Sequence, residues 1–174
     1  MPVVRLPPPV AVLVLVLIAG LLPLSGCGGD AGPQTKEGFI LDADGVCESF
    51  AGEFEDAGSA NPGTAKEVAD ANKVLADTYE RFSEVMGKVR LPASGAARTQ
   101  AKAYVDSVRA AEPLLDRLRS TADAFLEAAR GTDRQALTVA GNNLRIALDA
   151  FRAARAKSDT LAVQYGLNLC GNLD

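Results

Sequence analysis

The chain contains three cysteines, Cys27, Cys47 and Cys170, and neither histidine nor tryptophan. Cysteine chemistry depends on the compartment, because thiols pair in oxidising environments and stay reduced in the cytoplasm. Pairing two of three cysteines leaves one over, and that remaining cysteine needs its own explanation. The surroundings of each cysteine therefore bear on where the protein resides and how it folds.

Cys27 follows an apolar run that is typical of a signal peptide. Val10–Leu22 is uncharged and rich in Val, Leu and Ile, and Arg5 precedes it. A run of about 13 residues suits the apolar region of a signal peptide and is short for a membrane-spanning helix, which needs about 20. The next residues, Leu24-Ser25-Gly26-Cys27, resemble the lipobox of bacterial lipoproteins, in which an aliphatic residue and two small residues precede a cysteine.

This resemblance implies a covalent lipid anchor. In lipoproteins the cysteine thiol carries a diacylglyceryl group through a thioether, and cleavage just before that cysteine makes it the first residue of the mature chain. Residues 1–26 are then the signal peptide and Cys27 is the lipidation site. Two acyl chains hold a protein stably on a membrane, so we expect a location at the extracytoplasmic face of the cell membrane. The alternative is a cysteine that lies by chance near an ordinary cleavage site.

The mature chain is predicted to be a short tether followed by one domain. Residues 27–37 contain small and polar residues with Gly and Pro, which is typical of a flexible tether, and residues 38–174 have the length of one domain. The net charge of −4 disfavours nucleic acid as a partner. Residues 27–59 hold eight acidic residues against Lys36 alone, whereas residues 91–165 hold 11 basic and 8 acidic residues. The acidic first helix either packs against a basic helix or presents an acidic outer face to a partner.

Apolar residues recur every three or four positions in four segments, which predicts four helices. In the first segment they are Phe39, Ala43, Cys47, Phe50 and Phe54. In the second they are Val68, Ala71, Leu75, Phe82, Val85 and Val89, with Tyr79 and Met86 beside them. In the third they are Ala97, Ala101, Tyr104, Val108, Ala111, Leu115, Leu118, Ala122, Phe125 and Ala129. In the fourth they are Leu137, Ala140, Leu144, Ala147, Phe151, Ala154, Ser158, Leu161 and Tyr165.

Capping and turn residues set the ends of these helices. Thr64–Glu67 and Thr132–Gln135 both match the capping box S/T-x-x-E/Q, which predicts N-caps at Thr64 and Thr132. Gly166 is expected to end the fourth helix. Pro113 falls inside the third segment and must either kink it or start a new helix. The apolar spacing keeps its phase across Pro113, so we predict a kinked third helix.

Long amphipathic helices with short connections predict an all-α fold, an up-down-up-down four-helix bundle. In that arrangement the end of the fourth helix returns to the start of the first, beside the tether and the loop between helices two and three. Cys170 lies four residues beyond Gly166 and can reach back along the first helix to Cys47. We therefore predict a Cys47–Cys170 disulfide, with two free structural thiols as the alternative.

Two short stretches around these cysteines carry a further resemblance. Phe39–Cys47 and Tyr165–Cys170 resemble a group of small actinobacterial lipoproteins whose domain opens with an "ADxxC" helix and closes with "YGLxxC". The resemblance implies a lipid-anchored helical domain and supplies no activity that could be transferred to this chain. Because the residue types exclude several chemistries, as described next, we expect no catalytic residues, no metal site and no cofactor.

The residue types also exclude several chemistries. Without histidine, the usual zinc sites, the Glu-x-x-His di-iron site of helix bundles and the histidine-dependent catalytic triads cannot form. Asp42-Ala43-Asp44-Gly45 matches the EF-hand calcium loop poorly, and a solvated acidic helix face explains it. Two functions stay open: a non-enzymatic interaction or structural protein of the envelope, with a protein, lipid or cell-wall partner, and a carrier or sensor binding an apolar ligand between helices.

Overall fold

A computed structural model of the chain describes residues 32–59 and 63–172. In that part the secondary structure is helical, without a strand, and the helices form a bundle, which confirms the predicted all-α class. The helices are α1 (Lys36–Ser59), α2 (Ala65–Met86), α3 (Gly95–Arg109), α4 (Glu112–Arg130) and α5 (Arg134–Tyr165), followed by a 3-10 turn at Cys170–Asn172. The predicted signal peptide and the lipidation site at Cys27 lie outside the described residues.

The capping residues position α2 as predicted and α5 one residue later than predicted. Thr64 caps α2: its hydroxyl accepts a hydrogen bond from the Glu67 N–H, and the Glu67 carboxylate accepts one from the Thr64 N–H. Hydrogen bonds from the backbone of Gly63 and Thr64 lower the pKa of Glu67. At α5 the prediction of Thr132 was wrong, because the Asp133 carboxylate accepts the N–H groups of the first turn, and aspartate caps more strongly than threonine.

The predicted kinked third helix is two helices. α3 ends at Arg109 and α4 begins at Glu112, which places Pro113 in the first turn of α4, where a missing N–H costs no helix hydrogen bond. Ala110 and Ala111 keep right-handed backbone angles, so the apolar spacing continues across the break. The buried residues of this stretch include Ala101, Tyr104, Val108, Ala111, Leu115, Leu118 and Ala122, as the spacing predicts.

An aromatic cluster fills the core and sets the orientation of α2. Phe82 and Tyr79 of α2 lie edge-on to Phe54 of α1, and Tyr79 also lies edge-on to Phe151 of α5, with ring centroids 4.9–6.2 Å apart. With these rings in the core, α2 is rotated about its own axis, so that its buried face is shifted by about one residue from the predicted face. Val85, predicted to face inward, is accordingly 39% exposed, while Tyr79 and Met86 are buried.

Three chain segments meet at one end of the bundle. The Ala93 N–H, in the loop between α2 and α3, donates to the Gln34 carbonyl just before α1, at 3.0 Å. Tyr165, the last residue of α5, packs edge-on against Phe39 in the first turn of α1, with ring centroids 5.4 Å apart. The start of α1, the end of α5 and the α2–α3 loop therefore lie together.

The acidic residues of α1 divide between the two predicted roles. Glu53 pairs with Arg81 of the neighbouring α2, an ion pair between helices. Glu48 and Glu55 are exposed and form no ion pair with a described residue. The first helix thus uses the Glu53 carboxylate to pack against α2 and keeps exposed carboxylates at Glu48 and Glu55.

Candidate functional site

Cys47 and Cys170 form a disulfide that joins the middle of α1 to the tail after α5. Their Cα atoms are 5.1 Å apart, and both side chains are buried. The pairing predicted from the bundle is confirmed, and the alternative of two free thiols does not hold. The bond joins positions 123 residues apart and closes almost the whole domain into one covalent loop.

A left-handed glycine turns the tail towards α1. Gly166 has φ 99°, a conformation that glycine adopts without steric cost, and the N–H groups of Gly166 and Leu167 both donate to the Ala162 carbonyl. Leu167 is buried next to this turn. The tail therefore leaves α5 in a fixed direction and brings Cys170 to Cys47.

Asp44 holds the tail in place and is a residue that sequence reasoning missed. Its carboxylate accepts the backbone N–H groups of Asn168, Leu169 and Cys170 at 3.1, 3.0 and 3.4 Å. Hydrogen bonds to an ionised acceptor are stronger than neutral ones. Asp44 was expected on a solvated acidic face, although its place in the "ADxxC" stretch, one turn before Cys47, was a usable signal.

Replacing Asp44 by alanine is expected to lower the free energy of unfolding by about 2–3 kcal/mol, because three N–H groups lose a charged acceptor. Asp44→Asn keeps one acceptor oxygen, so its free energy of unfolding should lie between those of the original chain and Asp44→Ala. Urea denaturation followed by circular dichroism measures the effect. Glu48→Ala removes an exposed carboxylate one turn further along α1. Its free energy of unfolding should stay within about 0.5 kcal/mol of the original, as is usual for surface substitutions. Equal stabilities for Asp44→Ala and Glu48→Ala contradict this role for Asp44.

A cluster of polar groups lies in the core beside the disulfide. The Tyr104 hydroxyl is 3.9 Å from Cys47 Sγ, and the Tyr79 hydroxyl donates to the Val108 carbonyl at 3.5 Å. The Arg155 guanidinium lies over the Phe54 ring, 5.2 Å from its centroid, and its buried Nη2 has no hydrogen-bond partner among the described groups. These groups surround a cavity of about 10 Å³, room for one water molecule.

Burial keeps the two core tyrosines neutral. It raises the pKa of Tyr79 to about 12 and raises that of Tyr104 still further. Neither phenol therefore supplies a base at neutral pH. The cluster can order one water molecule between Arg155 and the tyrosines, and its chemistry is that of a structural hydrogen-bond network.

The acidic side chains of the Asp42-Ala43-Asp44-Gly45 stretch in α1 are also engaged in contacts within the chain. Asp42 accepts a hydrogen bond from the Gln34 side chain at 2.8 Å, while Asp44 binds the tail. Among residues 32–59 and 63–172, no three His, Cys, Asp or Glu side chains are placed to hold a metal ion. In the same part of the chain, no helix is both long and apolar enough to span a bilayer.

The larger spaces on the domain are open grooves at the surface. One groove of about 270 Å³ lies between the end of α1, the first half of α2 and the middle of α5, with Ala57, Leu75 and Leu148 in its lining and Arg152 at its edge. Its volume is at the lower limit of small-molecule sites, and it is open to solvent. The groove therefore differs from the enclosed apolar cavity that a carrier of apolar ligands needs.

No protein-family model, no curated protein and no solved structure matches the chain significantly. The residues and contacts of the chain itself are therefore the basis for its function.

Proposed function

We propose that the protein is a lipid-anchored envelope protein, held at the extracytoplasmic face of the cell membrane by a diacylglyceryl group on Cys27. The observation that carries this proposal is the Leu24–Cys27 lipobox directly after the apolar run of residues 10–22. The disulfide supports it in two ways. It accounts for Cys47 and Cys170, leaving Cys27 for another use, and disulfides persist in compartments outside the cytoplasm.

The anchored part is proposed to be an up-down-up-down bundle of four helical segments, with α3 and α4 together forming the third. The hydrogen bond from Ala93 to Gln34 and the packing of Tyr165 on Phe39 support this arrangement. They bring the α2–α3 loop and the end of α5 to the start of α1, where the tether attaches. The opposite end and the flanks of the helices are then the surfaces furthest from the membrane.

The proposed role is non-enzymatic, the presentation of this helical domain to a protein or cell-wall partner. The interior supports this role over that of a carrier, because the cavity beside Tyr104 and Arg155 holds about 10 Å³, far below the several hundred Å³ of a ligand site. The exposed apolar side chains of α5, Val139 and Ile146, and the acidic face of α1 offer contacts to a partner.

Replacing Cys27 by serine is expected to abolish the anchor, because a hydroxyl cannot form the thioether. The full-length chain, expressed in bacteria, should move from the mature membrane fraction to an unprocessed precursor or a released form. Intact-mass and peptide mass spectrometry should find the lipid on Cys27 of the original chain and on no residue of the variant.

Ser25→Ala is the matched control, since it keeps a small residue before the cysteine and should leave lipidation intact. A Cys27→Ser chain that is still cleaved before residue 27 and still carries lipid overturns the anchor. So does an original chain whose Cys27 forms a disulfide.

A further inference from the structure

The loop between α2 and α3 and the first turns of α3 form a basic surface on an acidic protein. From Val85 to Val105 the chain contains four basic residues and no acidic one, although its net charge is −4. The four are Lys88, Arg90, Arg98 and Lys102. We call this stretch the basic loop surface.

Two of its residues are exposed and unpaired among the described residues, while the other two make contacts within the chain. Arg98 donates to the Pro92 carbonyl at 3.1 Å, and Lys102 pairs with Asp106. Lys88 and Arg90 are exposed, and neither forms an ion pair or side-chain hydrogen bond with a described residue. The loop is tied to the start of α1 by the Ala93–Gln34 hydrogen bond and presents two positive charges without an ion pair among the described residues. The acidic residues nearest to it along the chain are Glu84 and Asp106, one on each side.

The position of this surface relative to the tether identifies its partner. Ala93 of the loop is hydrogen-bonded to Gln34, which is only seven residues from Cys27. Seven residues span at most about 25 Å when fully extended. A lipid on Cys27 therefore keeps the loop within reach of the bilayer surface. Anionic lipid headgroups attract nearby basic side chains, each worth about a fivefold gain in binding.

We propose that the basic loop surface, through Lys88 and Arg90, binds anionic lipid headgroups and sets the orientation of the domain on the membrane. This inference rests on the lipid anchor proposed above, which brings the surface to the bilayer. It adds a second membrane contact and places α1 and α5 at a defined angle to the bilayer, with the opposite end of the bundle outward.

Lysine acetylation of the anchored protein tests the contact. The protein purified from membranes is reconstituted into vesicles of phosphatidylcholine alone or with about 30% phosphatidylglycerol, which makes the vesicle surface anionic. Acetylation of Lys88 is measured by mass spectrometry relative to Lys66, which lies in the first turn of α2, at the opposite end of that helix. We expect the Lys88/Lys66 ratio to fall severalfold in the anionic vesicles only, and to recover in high salt because the contact is electrostatic.

Arg90→Glu should remove most of this protection, whereas Arg117→Glu, at an exposed position of α4, should preserve it. An unchanged Lys88/Lys66 ratio in anionic vesicles, or equal protection in neutral vesicles, overturns the lipid contact while leaving the anchor in place. Protection in intact cells but not in vesicles assigns the surface to a protein or cell-wall partner and also overturns it. A protein that does not float with either vesicle overturns the anchor and this inference together.

Discussion

A chain with Cys47 and Cys170 both replaced by alanine is expected to lose about 3–5 kcal/mol of unfolding free energy. The disulfide closes a loop between residues 123 positions apart, and the entropy that such a bond removes from the unfolded chain grows with loop length. Because a small domain has about 5–15 kcal/mol of stability in all, a loss of this size makes it marginal. Thermal and urea denaturation of the two proteins measure the difference.

The control for this experiment is Glu48→Ala, an exposed position next to Cys47 that leaves the disulfide and Cys27 in place and should unfold like the original domain. Reduction of the original protein should reproduce the loss seen in the double variant. If the free energy of unfolding of the double variant is less than about 1 kcal/mol below that of the original, the effect is smaller than disulfides generally have and this account is contradicted.

Phe151→Ala is expected to cost about 3–5 kcal/mol, the range for removing a fully buried aromatic ring. Phe151 is 1% exposed and packs edge-on against Tyr79 at 4.9 Å, at the point where α5 meets α2. Its loss leaves a cavity in the aromatic cluster that also seats Phe54 and Phe82. Denaturation monitored by circular dichroism gives the free energy directly.

Ile146→Ala on the same helix is the matched comparison, since Ile146 is 47% exposed and its truncation leaves no enclosed cavity. We expect this change to cost less than about 1 kcal/mol. If Phe151→Ala and Ile146→Ala lower the free energy of unfolding by similar amounts, α5 does not pack as described.

The periodic residues predicted the helices, most of their buried faces and the disulfide, because helical spacing and loop length determine these directly. Leu118 and Phe151, predicted to be buried, are 0% and 1% exposed. Two of the errors arose where neighbouring effects compete within one or two residues. Pro113 could have been accommodated by a kink or by a new helix, and Thr132 and Asp133 could each have capped α5.

The role of Asp44 does not follow from helical periodicity, because it depends on the path of a tail more than 120 residues away. Helical periodicity shows which face of α1 is buried and says nothing of which polar residue meets the tail. The polar cluster around Arg155 was hidden for the same reason, since an arginine in an amphipathic helix is expected at the surface. Both features follow from how the helices pack, which local patterns do not specify.

The covalent loop also determines how the domain responds to mechanical force. When tension acts between Cys27 and Asp174, residues 47 to 170 cannot be pulled out, because the disulfide carries the load across them. Roughly 24 residues lie outside the loop, and at 3.3–3.6 Å each they extend to less than about 90 Å. Without the disulfide the same pull could extend the chain to about 500 Å. The bond therefore limits how far the domain can be stretched from the anchor proposed at Cys27.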